Sequence, residues 1–201
     1  MKPAIVSFCA LFLLAGLGFA EKTVVPPNYA KESVEADFPS GGLIRMHIRS
    51  GELRIVGSDE SKIRVHYLGK NIDKSGDVKV SLKTTGNAAE LSVNGGPRND
   101  FQIEVQVPRN SNLYLRMPFG EVQIDRLTGD KDVELHAGEL TLGIGEPADY
   151  FRVDTSVYTG DLDTGPFGVE KGGLFRSFEE KGTGRYRLHA HVGAGELTLR
   201  K

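Results

Sequence analysis

Three sets of side chains in this sequence have the types and spacing to do chemistry. His189 and His191 flank Ala190, so on a strand both imidazoles point to one face, next to Arg187. His136 precedes Ala137-Gly138-Glu139, a unit that recurs at Ala194-Gly195-Glu196. If the two units stack, these imidazoles approach one another, and two or three of them would suit zinc or copper. Arg187 shares that face and no carboxylate sits at obvious ligand spacing, so solvent-facing polar residues are the simpler reading. The second set is acidic: Glu121, Glu139 and Asp161 each follow a glycine. On equivalent corners of stacked strands their carboxylates would lie near the ~4.8 Å strand spacing and repel unless basic groups or a hard cation such as calcium intervened. Exposed, solvated acids satisfy the same pattern, and no resident metal or cofactor is expected. The third set is basic. Arg45, His47, Arg49, Arg54, Arg64 and His66 share the polar face of the early strands if those strands are neighbours.

The basic set is the main functional hint, because charge is uneven along the chain. Residues 43–83 hold nine Lys/Arg against five Asp/Glu, residues 119–170 hold three against twelve, and residues 181–201 hold five against one. A cationic strip of this kind suits an anionic polysaccharide, lipid head groups or an acidic protein surface. Nucleic acid fits poorly, since the basic stretches are not interleaved with an aromatic platform. No Gly-x-Ser-x-Gly elbow, phosphate-binding loop or His-Glu-x-x-His is present, and no catalytic constellation can be assembled, so no enzyme is expected.

The elements that must position these residues are strands. From Gly41 onward apolar and polar residues alternate with period two, most cleanly at Phe101, Ile103, Val105 and Val107 against Gln102, Glu104 and Gln106. Such strands bury one face and wet the other. The phrase glycine, acid, apolar-x-apolar occurs at Gly51-Glu52-Leu53-Arg54-Ile55, Gly120-Glu121-Val122-Gln123-Ile124, Gly138-Glu139-Leu140-Thr141-Leu142 and Gly195-Glu196-Leu197-Thr198-Leu199, with a looser copy at Gly160-Asp161-Leu162. Spacings of 18 and 22 residues from Gly120 to Gly138 to Gly160 predict stacked coils. The following 35-residue interval to Gly195 predicts an inserted hairpin around Gly172-Gly173-Leu174-Phe175. The expected fold is all-β: a β-solenoid or β-roll of short stacked strands over 119–201, continuous with an antiparallel meander over 41–117. A β-sandwich is the alternative. The last strand, Leu197 to Lys201, is expected to present an open edge that another sheet, copy or partner would cover.

Val107-Pro108 to Leu113, followed by the repeated glycine-acid units, resembles the bacterial putative-adhesin domains, envelope proteins related to the auto-transporter adhesin head domain. The resemblance covers roughly Leu43 to Lys201 and is strongest from Phe101 to Gly145. It implies a β-solenoid or β-roll at the cell envelope and carries no catalytic motif.

The N-terminus predicts export. Met1-Lys2-Pro3 is followed by an apolar stretch from Ala4 to Leu17 and by Gly18-Phe19-Ala20, a signal-peptide pattern with cleavage after Ala20. Cys9, the single cysteine, lies inside it, so the processed chain holds no disulfide. Loss of Lys2 leaves 24 basic against 27 acidic side chains, a net charge of −3. Residues 21–40 read as a linker with a strand near its end, and 41–201 as a single domain. The expectation is an exported, non-enzymatic envelope protein, periplasmic, cell-surface or extracellular, acting in adhesion or interaction through its strand faces. The alternative is an accessory subunit of an envelope complex acting through a strand edge, self-association included.

Overall fold

The computed structural model describes residues 29–70, 78–96 and 100–201. The signal segment 1–20 and the first part of the 21–40 linker lie outside them. Among the described residues there is no α-helix; twelve strands form one mixed sheet. They are β1 (Tyr29–Asp37), β2 (Leu43–Ile48), β3 (Ser50–Ser58), β4 (Lys62–Lys70), β5 (Lys79–Thr85), β6 (Ala88–Asn94), β7 (Gln102–Pro108), β8 (Asn112–Asp125), β9 (Lys131–Gly143), β10 (Tyr150–Thr164), β11 (Val169–Lys181) and β12 (Tyr186–Arg200).

Strands β8, β9, β10 and β12 are 13 to 15 residues long, not the short segments that the glycine density suggests. Each passes through its glycine and keeps pairing on both sides of it. β8 shows how: Asn112 to Arg116 pair with β2 and Phe119 to Asp125 pair with β3, in parallel. β2 and β3 are therefore two halves of one bent strand. The parallel series continues from β8 to β9, β12 and β10, and β11 closes it antiparallel to β10.

The glycines fall in one row across this series, in the order Gly51, Gly120, Gly138, Gly195, Gly160, Gly173. All six have φ between 115° and 139°. A Cβ on Gly138 would lie 1.8 Å from the carbonyl oxygen of Gly120, and one on Gly195 would lie 1.9 Å from that of Gly138. Both the backbone conformation and the space therefore exclude a side chain here. The row also marks a change of phase. In β8 the buried residues are Leu113, Leu115 and Met117 before the glycine and Val122 and Ile124 after it. The four residues between, 118–121, all face outward or sideways. Both halves of each strand thus turn to one core, and each strand wraps a corner of it as two arms.

The spatial order differs from the chain order. β12 lies between β9 and β10, so the final strand is interior and not the open edge that its position at the end of the sequence suggests. The hairpin expected in the long interval is β10–β11, with Gly160 opposite Gly173. Among the described residues β11, β5 and β1 each have a single neighbour and end the arms. In β11, Lys171 and Arg176 stand opposite Leu162 and Val157, residues that are buried in β10. Charges in inward rows blunt an edge against further pairing. Over 41–117 the alternation correctly marks strands but not their partners: of successive strands there only β5 and β6 pair with each other, antiparallel, while β2 and β3 run parallel to β6, β7 and β8. β1, within the stretch read as linker, pairs antiparallel with β4 along its whole length.

Replacing Gly138 or Gly195 by alanine is expected to cost more than about 3 kcal/mol or to prevent folding, because backbone must move in every adjoining strand. Gly145 has φ 69° but open space around it, so the same replacement should cost only about 1 kcal/mol. Urea denaturation of the three variants checks this.

Candidate functional site

On the arm that precedes the glycine row, two outward rows carry most of the polar chemistry. The first runs Arg45, Tyr114, Asp132, His189, Asp154, and the second His47, Arg116, Glu134, His191, Ser156. Arg116 is central to both. Its Nη2 lies 2.8 Å from Asp132 Oδ1 and 3.1 Å from Glu134 Oε1, and its guanidinium sits 3.8 Å over the Tyr114 ring. His47 meets the same ring edge-on at 6.1 Å. His191 Nδ1 shares a 2.9 Å hydrogen bond with Ser156 Oγ, and His189 Nδ1 faces Asp154 Oδ2 at 3.7 Å.

Two shallow grooves cross these rows. One, of about 590 Å³, is lined by His47, Arg49, Arg116, Glu134, His136 and His191 among others. The other, of about 610 Å³, includes Arg45, His47, Tyr114, Asp132, Arg187 and His189. Glu134 is the single acid lining the first, and Arg49 and Arg45 carry no ion pair among the described residues.

The basic set expected on one face divides between the two arms. Arg45, His47 and Arg49 belong to the groove arm. Arg54, Arg64 and His66 lie beyond the bend, on β3 and β4. Arg64 is spent on ion pairs, with Glu60 at 2.6 Å and Glu35 at 3.2 Å, and its hydrogen bonds hold both carboxyls below their usual range. Arg54 Nε stands 3.9 Å from Asp125, which also receives Arg200 at 2.7 Å. His66 is level with Glu104 of β7.

The three histidines do not converge. His136 is level with Gly193, next to the bend, whereas His189 and His191 lie further along β12. What the register brings to them is carboxylate, which spacing along the chain does not reveal: Asp132, Glu134 and His189 place one ligand atom each within 4.8 Å of one another. Arg116 already takes one oxygen of each acid, so the balancing charge of this cluster is a guanidinium. The acidic row is longer than expected and in another order: Glu52, Glu121, Glu139, Glu196, Asp161.

A buried lysine escaped the sequence reading. Lys131 occupies an otherwise aliphatic inward row between Leu113 and Leu188 and is 1% exposed. Its Nζ donates to Tyr150 Oη at 2.8 Å and to the Gly129 carbonyl at 3.2 Å, and the Tyr150 hydroxyl in turn donates to the Ile144 carbonyl at 3.1 Å. Burial lowers the ammonium from 10.5 to about 8 and holds the Tyr150 phenol well above its usual range.

With this geometry in view, the chain can be set beside known proteins. No protein-family model matches it, and no curated protein matches it in sequence. Its fold is similar to that of a protein of known structure described as a putative cell adhesion protein from Clostridium sporogenes: TM-score 0.57 at 10% identity, over 85% of this chain and 99% of that one. Putative adhesins from Parabacteroides distasonis (13% identity, 86% of this chain and 66% of that one, TM-score 0.40) and Bacteroides fragilis (11%, 85% and 97%, 0.34) are more distant in shape. The likeness that the glycine-acid phrases carry is thus met at the level of fold. No helix among the described residues is long and apolar enough to cross a membrane.

The Lys131 site makes a pH prediction. Above pH 8 the folded chain holds a neutral amine, while the unfolded chain still binds that proton up to 10.5. The unfolded state binds more protons in that window, so stability rises with pH across it. Relative to Lys131→Met, the wild type should gain on the order of 2–4 kcal/mol between pH 8 and 10.5. Denaturation midpoints of both proteins across that range check it; parallel pH profiles would show that the lysine is not buried as described.

Proposed function

We propose that this chain is an exported, non-enzymatic binding protein of the bacterial envelope that holds an anionic polymer, of the polysaccharide kind, along its first arm. The observation that carries this reading is the groove lined by His47, Arg49, Arg116, His136 and His191 against Glu134 alone. Arg49 in particular has no internal partner among the described residues, so its guanidinium is free for a carboxylate or sulfate. Rows of side chains repeating near 4.8 Å along a sheet suit an extended polymer better than a compact metabolite.

The parallel strands, each bent at its glycine, form coils of a β-solenoid or β-roll in which the fourth and fifth layers are exchanged in chain order. The signal-peptide pattern of residues 1–20 supports export, and the fold shared with a protein described as a putative cell adhesion protein supports adhesion over catalysis. Arg45 and Arg187 of the neighbouring groove would extend the same strip, while Arg54, Arg64 and His66 would serve charge balance on the second arm.

Retention of the purified chain on immobilised alginate, a polyuronate, tests the binding. It should be strong at low salt, weaken steeply as salt rises, and fall about tenfold or more in affinity on Arg49→Ser with His47→Ser. Retention that ignores salt and both substitutions, or equal retention on a neutral glycan, contradicts the groove assignment.

A further inference from the structure

The outer corner of the bent strands carries a second surface, which adjoins the first groove at His136. Immediately before the glycine row, one line of residues runs Phe119, Ala137, Ala194, Thr159, Leu174 across five adjacent strands. Next to it stand Tyr158 and Phe175, whose rings meet edge-on at 4.7 Å, and His136, which meets Phe119 at 6.0 Å. Phe119, Tyr158, Leu174 and Phe175 are 57%, 54%, 58% and 70% exposed. Four large apolar side chains standing in solvent along one corner mark an interaction surface. The middle of the line is low, with Ala137 and Ala194 between the two aromatic ends. Phe175 is further held at φ 55°, a left-handed conformation unusual for an aromatic residue.

What lies beside this ridge decides its occupant. Immediately after the glycine row come Glu52, Glu121, Glu139, Glu196 and Asp161, one per strand on five neighbouring parallel strands. All five are exposed, and none is ion-paired among the described residues; Glu52 and Glu196 only accept hydrogen bonds, from Gln102 and Thr198. Their ligand atoms do not converge as those of Asp132, Glu134 and His189 do, whereas calcium needs six or more oxygens around one point. A ladder of separated carboxylates at a strand repeat, with aromatic faces alongside, complements cations that are themselves spread along a chain. Lysine and arginine supply the charge to the ladder and apolar stems and cation–π contacts to the rings.

We propose that this corner is a docking surface for an extended basic segment of another protein, lying across the strands with its cations on the carboxylate ladder and its apolar side chains between Phe119 and Tyr158. With the groove on the adjoining arm, the molecule then joins an anionic polymer on one side to a basic protein on the other. The corner stands on its own geometry and does not need the groove to be occupied.

The probe is a fluorescein-labelled ten-residue peptide of alternating lysine and leucine, with an alternating glutamate and leucine peptide as counterpart, read by fluorescence anisotropy with the whole chain. The lysine peptide should bind and the glutamate peptide should not. Affinity should fall about tenfold or more in Glu121→Gln/Glu139→Gln/Glu196→Gln, and by a similar factor in Phe119→Ser/Tyr158→Ser. Arg49→Ser with His47→Ser should leave it unchanged, which separates failure of this surface from failure of the groove. All substituted side chains are exposed, and circular dichroism of each variant confirms that it folds. Binding that only the glutamate changes weaken is non-specific attraction and overturns the proposal. So does displacement of the peptide by an equimolar amount of calcium, or a dimer without peptide that the same substitutions dissolve, which would make a second copy the occupant.

Discussion

Everything in this molecule depends on how closely backbone approaches backbone along the glycine row. A Cβ at Gly138 would stand 1.8 Å from the Gly120 carbonyl oxygen, and one at Gly160 equally close to that of Gly195. Only hydrogen fits, and only glycine takes φ near 130° without strain. Because every long strand turns at the same level, the two arms stay in register on both sides of the corner and the aliphatic residues of both reach one core. The acid after each glycine is pushed outward by the same turn. The core that results is apolar in nearly every inward row, with Lys131 as the conspicuous exception, and its charge is tolerated through the Tyr150 hydroxyl and the Gly129 carbonyl.

The bend is also what makes surfaces. A straight sheet would present one continuous outer face; this one presents two arms and a corner. Arg45, His47 and Arg49 end on one arm with Arg116, while Arg54 and Arg64 end on the other and meet Asp125, Glu60 and Glu35. Cations that look alike in the sequence therefore differ in availability. On the second arm they are consumed by neighbouring acids; on the first, Arg49 and Arg45 remain free while Arg116 is shared.

Much of the fold is legible in the sequence because two signals are local. Alternation such as Phe101 to Val107 can only be a half-buried strand, and Gly-Glu-Leu-Thr-Leu written at both 138–142 and 195–199 identifies equivalent positions that do pair, residue for residue. Order and partner are not local. Nothing along the chain says that β12 enters between β9 and β10, or that Glu196 and not Asp161 follows Glu139 in the row. The same limit governs the sites. His189 and His191 are readable as one face of a strand, but the carboxylates opposite them come from β9 and β10, more than thirty residues away. Lys131 did leave a trace: Lys131, Val133 and Leu135 share one face of a strand, so a lysine begins an inward run, a pattern easily taken for the strand's polar end.

Both surfaces depend on β12 lying between β9 and β10, and a disulfide ruler reads that order directly. In a chain lacking Cys9, cysteines at 137 and 194 would sit in register on adjacent strands, within reach of a disulfide, whereas 137 and 159 would be separated by the intervening β12. The structure predicts near-complete oxidation of Ala137→Cys/Ala194→Cys and none within the monomer for Ala137→Cys/Thr159→Cys. The opposite result, a bond between 137 and 159 but not between 137 and 194, would mean that the strands stack in chain order, and the corner ladder and groove described here would not exist.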